Sequence, residues 1–206
     1  MSAFPRLPLR TLMLVAACVV AALGGAWVAA TYWTRPATEV AAVYDHPRPI
    51  PDFALVAHDG SRFDRARLKG HYTFVFFGYT NCPALCPATL TELAAAMKEM
   101  PPARRPAVVL VSVDPARDTP EVLARYVPHF DPRFVGATGT DEALGVLTGA
   151  LGAAYLRDPP VDGSYAVEHT SALFLINPDA EVAAVFPAPH VAHTLAADYL
   201  RIRGRG

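Results

Sequence analysis

Phe76-Phe77-Gly78-Tyr79-Thr80-Asn81-Cys82-Pro83-Ala84-Leu85-Cys86-Pro87 joins two patterns of different period. Upstream, Tyr72 to Phe77 is a short apolar run that reads as a buried strand. Downstream, Pro87 suits the first position of a helix, where its missing N–H would be unpaired anyway. Leu90, Leu93, Met97 and Met100 then follow at helical spacing, and Pro101-Pro102 end the pattern. Two thiols therefore stand at a strand-to-helix corner, four residues apart. Such a pair can close a disulfide or grip a soft metal ion.

Working outward, Phe53-Ala54-Leu55-Val56, the Asp59-Gly60 turn and Ser61-Arg62-Phe63 suggest a small hairpin ahead of the first core strand. After it, Val108 to Val113 reads as a second buried strand, and Asp118-Thr119-Pro120-Glu121 as a helix start with Asp118 as the cap. Phe134-Val135 reads as a short strand and Asp141 to Leu151 as a helix. Ser164 to Val167, Ala172 to Ile176 and Val182 to Phe186 read as strands, and a last helix is expected from about His190 to Ile202. Strand and helix alternate, so the class is α/β. The thiols lie where the first core strand feeds its helix, the end of the sheet at which ligands bind in such folds. The pattern suggests a thioredoxin-like domain with an N-terminal β-hairpin and an inserted helical segment.

The 206 residues carry a net charge of -1, so no basic footprint argues for nucleic acid. A mean hydropathy of +0.24 is raised by one segment, Thr11 to Trp33. This is about 23 nearly all apolar residues, roughly 35 Å as a helix, enough to cross a bilayer. Arg6 and Arg10 precede it and Arg35 follows, a bias that favours a cytoplasmic N-terminus and a translocated C-terminal part. The expected organisation is a cytoplasmic segment over residues 1–10 and a single transmembrane helix over 11–33. A linker over 34–48 and one domain over 49–206 follow. Cleavage near Val28-Ala29-Ala30, or lipidation at Cys18 after Val15-Ala16-Ala17, are the alternatives to an uncleaved anchor. All three leave the domain outside the cytoplasm.

Cys18 falls in the apolar segment, so the exported domain holds one thiol pair. Oxidising compartments favour disulfides. A bridge closing so few residues, however, restrains the unfolded chain little, which argues against a purely structural role. With Pro87 as the first helical residue, Cys86 would sit at the cap, nearest the positive end of the helix dipole, where a thiolate is favoured. Three residues separate the thiols, one more than in thioredoxin-type oxidoreductases. Redox chemistry and metal binding both fit that loop. A third ligand must be sought among seven histidines. His46, His58, His71 and His129 lie in linker, turn, loop or helix-end settings and read as surface residues. His190 and His193 have i, i+3 spacing near a helix start and read as a solvent-facing pair rather than a second site. His169 differs: in Tyr165-Ala166-Val167-Glu168-His169-Thr170-Ser171 it joins two strand patterns late in the domain. Two thiolates and an imidazole suit Cu(I), and also hold Cu(II) or zinc. Three ligands leave a position open, which favours transfer over permanent binding.

These residues resemble the Sco/SenC family, the copper chaperones of cytochrome c oxidase assembly. The likeness covers about Pro49 to Leu200. It rests on Gly78 to Pro87, on Val111-Ser112-Val113-Asp114-Pro115-Ala116-Arg117-Asp118-Thr119-Pro120, and on Glu168-His169-Thr170-Ser171 before Phe174-Leu175-Ile176-Asn177-Pro178. The resemblance implies copper bound by Cys82, Cys86 and His169. It implies delivery to the binuclear copper centre of oxidase subunit II, with a thiol reductant and other periplasmic copper chaperones as further partners. It also implies a single-pass protein of a bacterial inner membrane with its domain in the periplasm. A membrane-anchored thiol–disulfide oxidoreductase that reduces partner cysteines before metallation is the alternative. Two positions depart from the family pattern: Ala84 and Glu168 stand where Asp is usual. Asp114, ending the second core strand, reads first as a strand-end turn residue and second as an outer acceptor near the thiols.

Overall fold

The computed structural model describes residues 8–33, 38–160 and 165–204. The chain forms two compact units, residues 1–37 and 38–206. The first holds one helix, α1 (Leu9–Trp33), which leaves Met13, Val20, Leu23 and Trp27 exposed. Among the described residues no helix is long and apolar enough to cross a membrane. Arg6, Arg35 and the start of the expected strand at Ser164 lie outside the described residues, as do the side chains of Val28, Ala29 and Ala30.

The second unit is built on an eight-stranded mixed sheet. Its strands are β1 (Ala42–Pro49), β2 (Ala54–Ala57), β3 (Arg62–Asp64), β4 (Thr73–Gly78), β5 (Ala107–Ser112), β6 (Val135–Thr138), β9 (Leu173–Ile176) and β10 (Glu181–Phe186). A separate two-stranded ribbon pairs β7 (Tyr155–Arg157) with β8 (Val167–His169). The helices are α2 (Leu85–Glu99), α3 (Pro120–Tyr126), α4 (Asp141–Leu151) and α5 (Ala192–Arg203). The sheet order is β1-β10-β9-β4-β5-β6-β2-β3. β4, β5 and β6 are parallel, and the antiparallel strands flank them. Every residue of β4 and of β9 is buried, so both read as unbroken apolar runs rather than alternating ones. α2 packs on α5, α3 against β6 and α4 against β2.

Register places the site. Gly78 pairs with Ser112, so the loops leaving β4 and β5 emerge side by side at the carboxyl end of the parallel strands. The first loop carries the thiols and the second carries Asp114 to Asp118.

Four sequence expectations change. Residues 42–49 are not linker: they form β1, paired antiparallel with β10. Pro47 and Pro49 hide such a strand, but proline is tolerated at a sheet edge, and the pairing shifts register between Val43 and Arg48. α2 starts at Leu85, two residues before Pro87. The ribbon strand β7 is three residues long, too short for a period to show in the sequence. The strand expected to end at Val167 instead begins there and ends on His169.

Candidate metal centre

Gly78 determines where the thiols sit. A Cβ at this position would lie 2.9 Å from Cys86 Sγ and 3.1 Å from both Leu110 Cδ1 and Phe76 Cε1. The bare backbone lets the buried Cys86 sulfur pack against the strand end. The chain then turns, and Cys82 N–H bonds back to the Tyr79 carbonyl. Ala84 is the cap residue of α2 and offers no side chain to the exposed N–H groups. Cys82 takes that role: its Sγ accepts from Cys86 N–H at 3.3 Å. Cys86 is thus the second residue of α2, and Cys82 is the sulfur at the positive end of the helix. Both thiols are free. Burial pushes the Cys86 thiol up, further helped by the neighbouring Cys82 and by Asp118.

Asp118 holds the base of this loop. It is fully buried, and its carboxylate accepts from Thr80 N–H at 2.8 Å, from the Thr80 hydroxyl and from Ser112 Oγ at 2.6 Å. The expectation that Asp118 caps a helix is corrected. Thr119 is the cap of α3, accepting from Val122 N–H, and Asp118 ties the β5 loop to the thiol loop.

His169 arrives on the ribbon. Tyr155 pairs with it across β7 and β8. The Phe76 and Tyr79 rings meet the imidazole edge to face, each with centroids 5.9 Å away. Nδ1–H donates to the Thr170 carbonyl at 3.2 Å, which leaves the Nε2 lone pair free. That atom lies 3.4 Å from Cys86 Sγ. Burial pulls the His169 imidazole below the usual histidine range, partly offset by its bond to Thr170, which favours the uncharged form that ligation requires.

The ribbon is fastened by residues that sequence reasoning passed over. Arg117 bonds the buried Asp114 carboxylate, donates to the Tyr165 carbonyl at 3.0 Å and stacks on the Tyr165 ring at 3.7 Å. Tyr165 hydroxyl donates to Asp114 at 2.6 Å. Arg157 donates to the Val113 carbonyl at 2.7 and 3.0 Å and pairs with Asp141 at 2.6 Å. Asp114 therefore spends its oxygens on Arg117 and Tyr165 rather than on the thiols. Arg117 was visible only as part of the second sequence block, and nothing in the period of residues 155–165 pointed to Tyr165 or Arg157.

The ligand atoms of Cys82, Cys86 and His169 all lie within 4.8 Å of one another. Metal–sulfur bonds of about 2.3 Å would space three ligands of a trigonal set about 4 Å apart. Two sulfurs and one imidazole nitrogen form a soft donor set, and no carboxylate belongs to it. Four of the six other histidines bond elsewhere. His58 Nδ1 accepts from Gly136 N–H, His129 bonds the Arg125 carbonyl, His190 bonds the Ser171 carbonyl and His193 faces Glu99. His190 precedes α5, so the expected i, i+3 helical pair does not form.

The SCO1/SenC family pattern matches residues 42–203. The chain belongs to the SCO1/SenC family. It is 37% identical over 144 residues to a putative copper-binding protein of Stutzerimonas stutzeri, covering 69% of this chain and 71% of that one. It is 35% identical over 181 residues to the mitochondrial SCO2 homologue of Bos taurus, covering 83% and 67%. The crystal structure of copper-bound ScoI from Arabidopsis thaliana superposes with a TM-score of 0.70 at 30% identity, covering 75% of this chain and 98% of that one. The mixed sheet and helices described above are thus those of the SCO1/SenC thioredoxin-like fold.

Proposed function

We propose that this SCO1/SenC protein takes up one copper ion through Cys82, Cys86 and His169. In this reading it passes the ion to the binuclear copper centre of cytochrome c oxidase subunit II during assembly. The carrying observation is the convergence of two free thiols and an imidazole, from distant parts of the sequence, on one point beyond the carboxyl ends of β4 and β5. Relatives that are copper-bound or bear a copper-binding name support the choice of ion. Among the described residues the set has three donors, which leaves room for an incoming one. The apolar run within residues 11–33 supports a single-pass anchor with the domain in the periplasm. In that setting a reductant must keep the thiols open, and upstream copper carriers would load them.

Copper titration of the reduced full-length chain tests the site. One ion per chain is expected, with stoichiometric binding lost in Cys82→Ser and weakened at least tenfold in His169→Ala. Unchanged tight binding in either variant refutes the assignment.

Thiol–disulfide exchange is the second reading, favoured by the half-exposed Cys82 at a helix start beside the buried Cys86. The two thiols would give two electrons and two protons to a partner's disulfide and close their own. That activity needs both cysteines and survives His169→Ala, which separates it from copper transfer.

A further inference from the structure

Among the described residues of the sheet domain, the two most exposed large apolar side chains are Leu156 at 63% and Leu85 at 61%. They lie on different elements: Leu85 opens α2 and Leu156 is the middle residue of β7. Each lines a cavity of about 340 Å³, and both cavities have Glu168 and His169 in their walls. Leu156 also pairs directly with Glu168 across the ribbon. Glu168 is the one Asp, Glu, Lys or Arg among the lining residues of either cavity. The apolar rim is extended by the exposed Ala84 beside Leu85. Exposed leucines scattered singly need no explanation, but these two line cavities that share one ligand.

The site's own geometry selects what covers them. Cys86 is buried, so an incoming donor reaches the ligand set from the side of Cys82 and His169, through these two cavities. Direct exchange leaves the ion's oxidation state unchanged: each bond from Sγ or Nε2 that breaks is replaced by one from a donor of the receiver. The receiver's loop must therefore enter through the cavities that carry Leu85 and Leu156 while the ion is still held.

We propose that the two cavities that share Glu168 and His169, with Leu85 on the rim of one and Leu156 on the rim of the other, are the docking surface for the ion-receiving protein. That protein would present sulfur or imidazole donors on a loop with apolar flanks and a basic side chain opposite Glu168. This inference rests on the metal centre proposed above.

The test uses the full-length chain in detergent, loaded with Cu(I), as wild type and as the double variant Leu85→Ser, Leu156→Thr. Serine suits a helix start and threonine a strand. Two acceptors are offered: the copper-free copper domain of oxidase subunit II, and a small Cu(I) chelator that needs no docking. The expected result is unchanged copper loading, transfer to the protein slowed about tenfold or more, and an unchanged rate to the chelator. An unchanged rate to the protein overturns the proposal, and so does equal slowing towards both acceptors. A wild-type dimer in sedimentation that the double variant loses also overturns it, because a second copy would then be the occupant. A wild-type chain that loads no copper instead overturns the metal centre itself.

Discussion

The three proposed ligands come from two regions built in different ways. Cys82 and Cys86 hang from the centre of the sheet. β4 is buried at every residue, Gly78 makes room for a sulfur, and a buried Asp118 ties the loop to β5. His169 hangs from a two-stranded ribbon outside that sheet, fastened by Asp114, Arg117, Tyr165 and Arg157. A lone two-stranded ribbon has little stability of its own. The difference teaches that the sulfurs are positioned by the core, whereas the imidazole is positioned by a ribbon held through polar clamps and the buried Val167. In the proposed carrier, that split would place two ligands on the core and one on the ribbon.

The largest effect is expected on the sulfur side. Asp118→Ala strands the Thr80 N–H and leaves Ser112 without its acceptor inside the core. Charged hydrogen bonds of this kind imply a loss of about 3 kcal/mol or more in urea unfolding. A loss below about 1 kcal/mol would show that the loop is held by something else. Gly78→Ala comes next, at about 1–3 kcal/mol from overpacking against Cys86, Leu110 and Phe76. Its copper affinity should fall with stability, because the same atoms do both jobs.

The ribbon should behave in the opposite way. Tyr165→Phe removes one hydrogen bond to Asp114 and is expected to cost about 1 kcal/mol in unfolding. Copper affinity should nevertheless fall several-fold, as it does when outer partners of metal ligands are lost. A fall in stability with full affinity would end the distinction between the two regions. The smallest effect is a pH effect. The Arg157 guanidinium holds the Asp141 carboxyl below the usual carboxylate range. A depressed folded value means that this fastening is present above the unfolded carboxylate value of about 3.9 and is lost as pH falls through the folded value. With Asp141 more than half exposed, the contribution is under about 1 kcal/mol. Amide-exchange protection factors of Leu156 and Arg157 should fall below about pH 4 while those of β4 do not, and Asp141→Asn should flatten the dependence. An equal fall in β4 would mean that the whole domain, not the ribbon, is loosening.

The same division explains what the sequence could reveal. β4, β5, β9 and β10 were legible because burial on both faces writes itself as unbroken apolar runs. The thiol loop was legible because two cysteines and two prolines stand out at any strand end. β1 was hidden by its prolines and charges, which an edge strand tolerates. β7 was hidden because three residues carry no period. Asp118 looked like a cap because Thr119, the true cap, is its neighbour. Arg117, Tyr165 and Arg157 act through long-range polar bonds that leave no local pattern, so the fastening of His169 was unreadable even where His169 itself was singled out.

The most direct test of the copper centre is X-ray absorption at the copper edge on the loaded full-length chain and its His169→Ala variant. Two sulfur ligands and one imidazole nitrogen are expected in wild type, with the nitrogen signal lost and both sulfurs kept in the variant. Fewer than two sulfurs, or a spectrum unchanged by the substitution, would contradict the assignment of Cys82, Cys86 and His169.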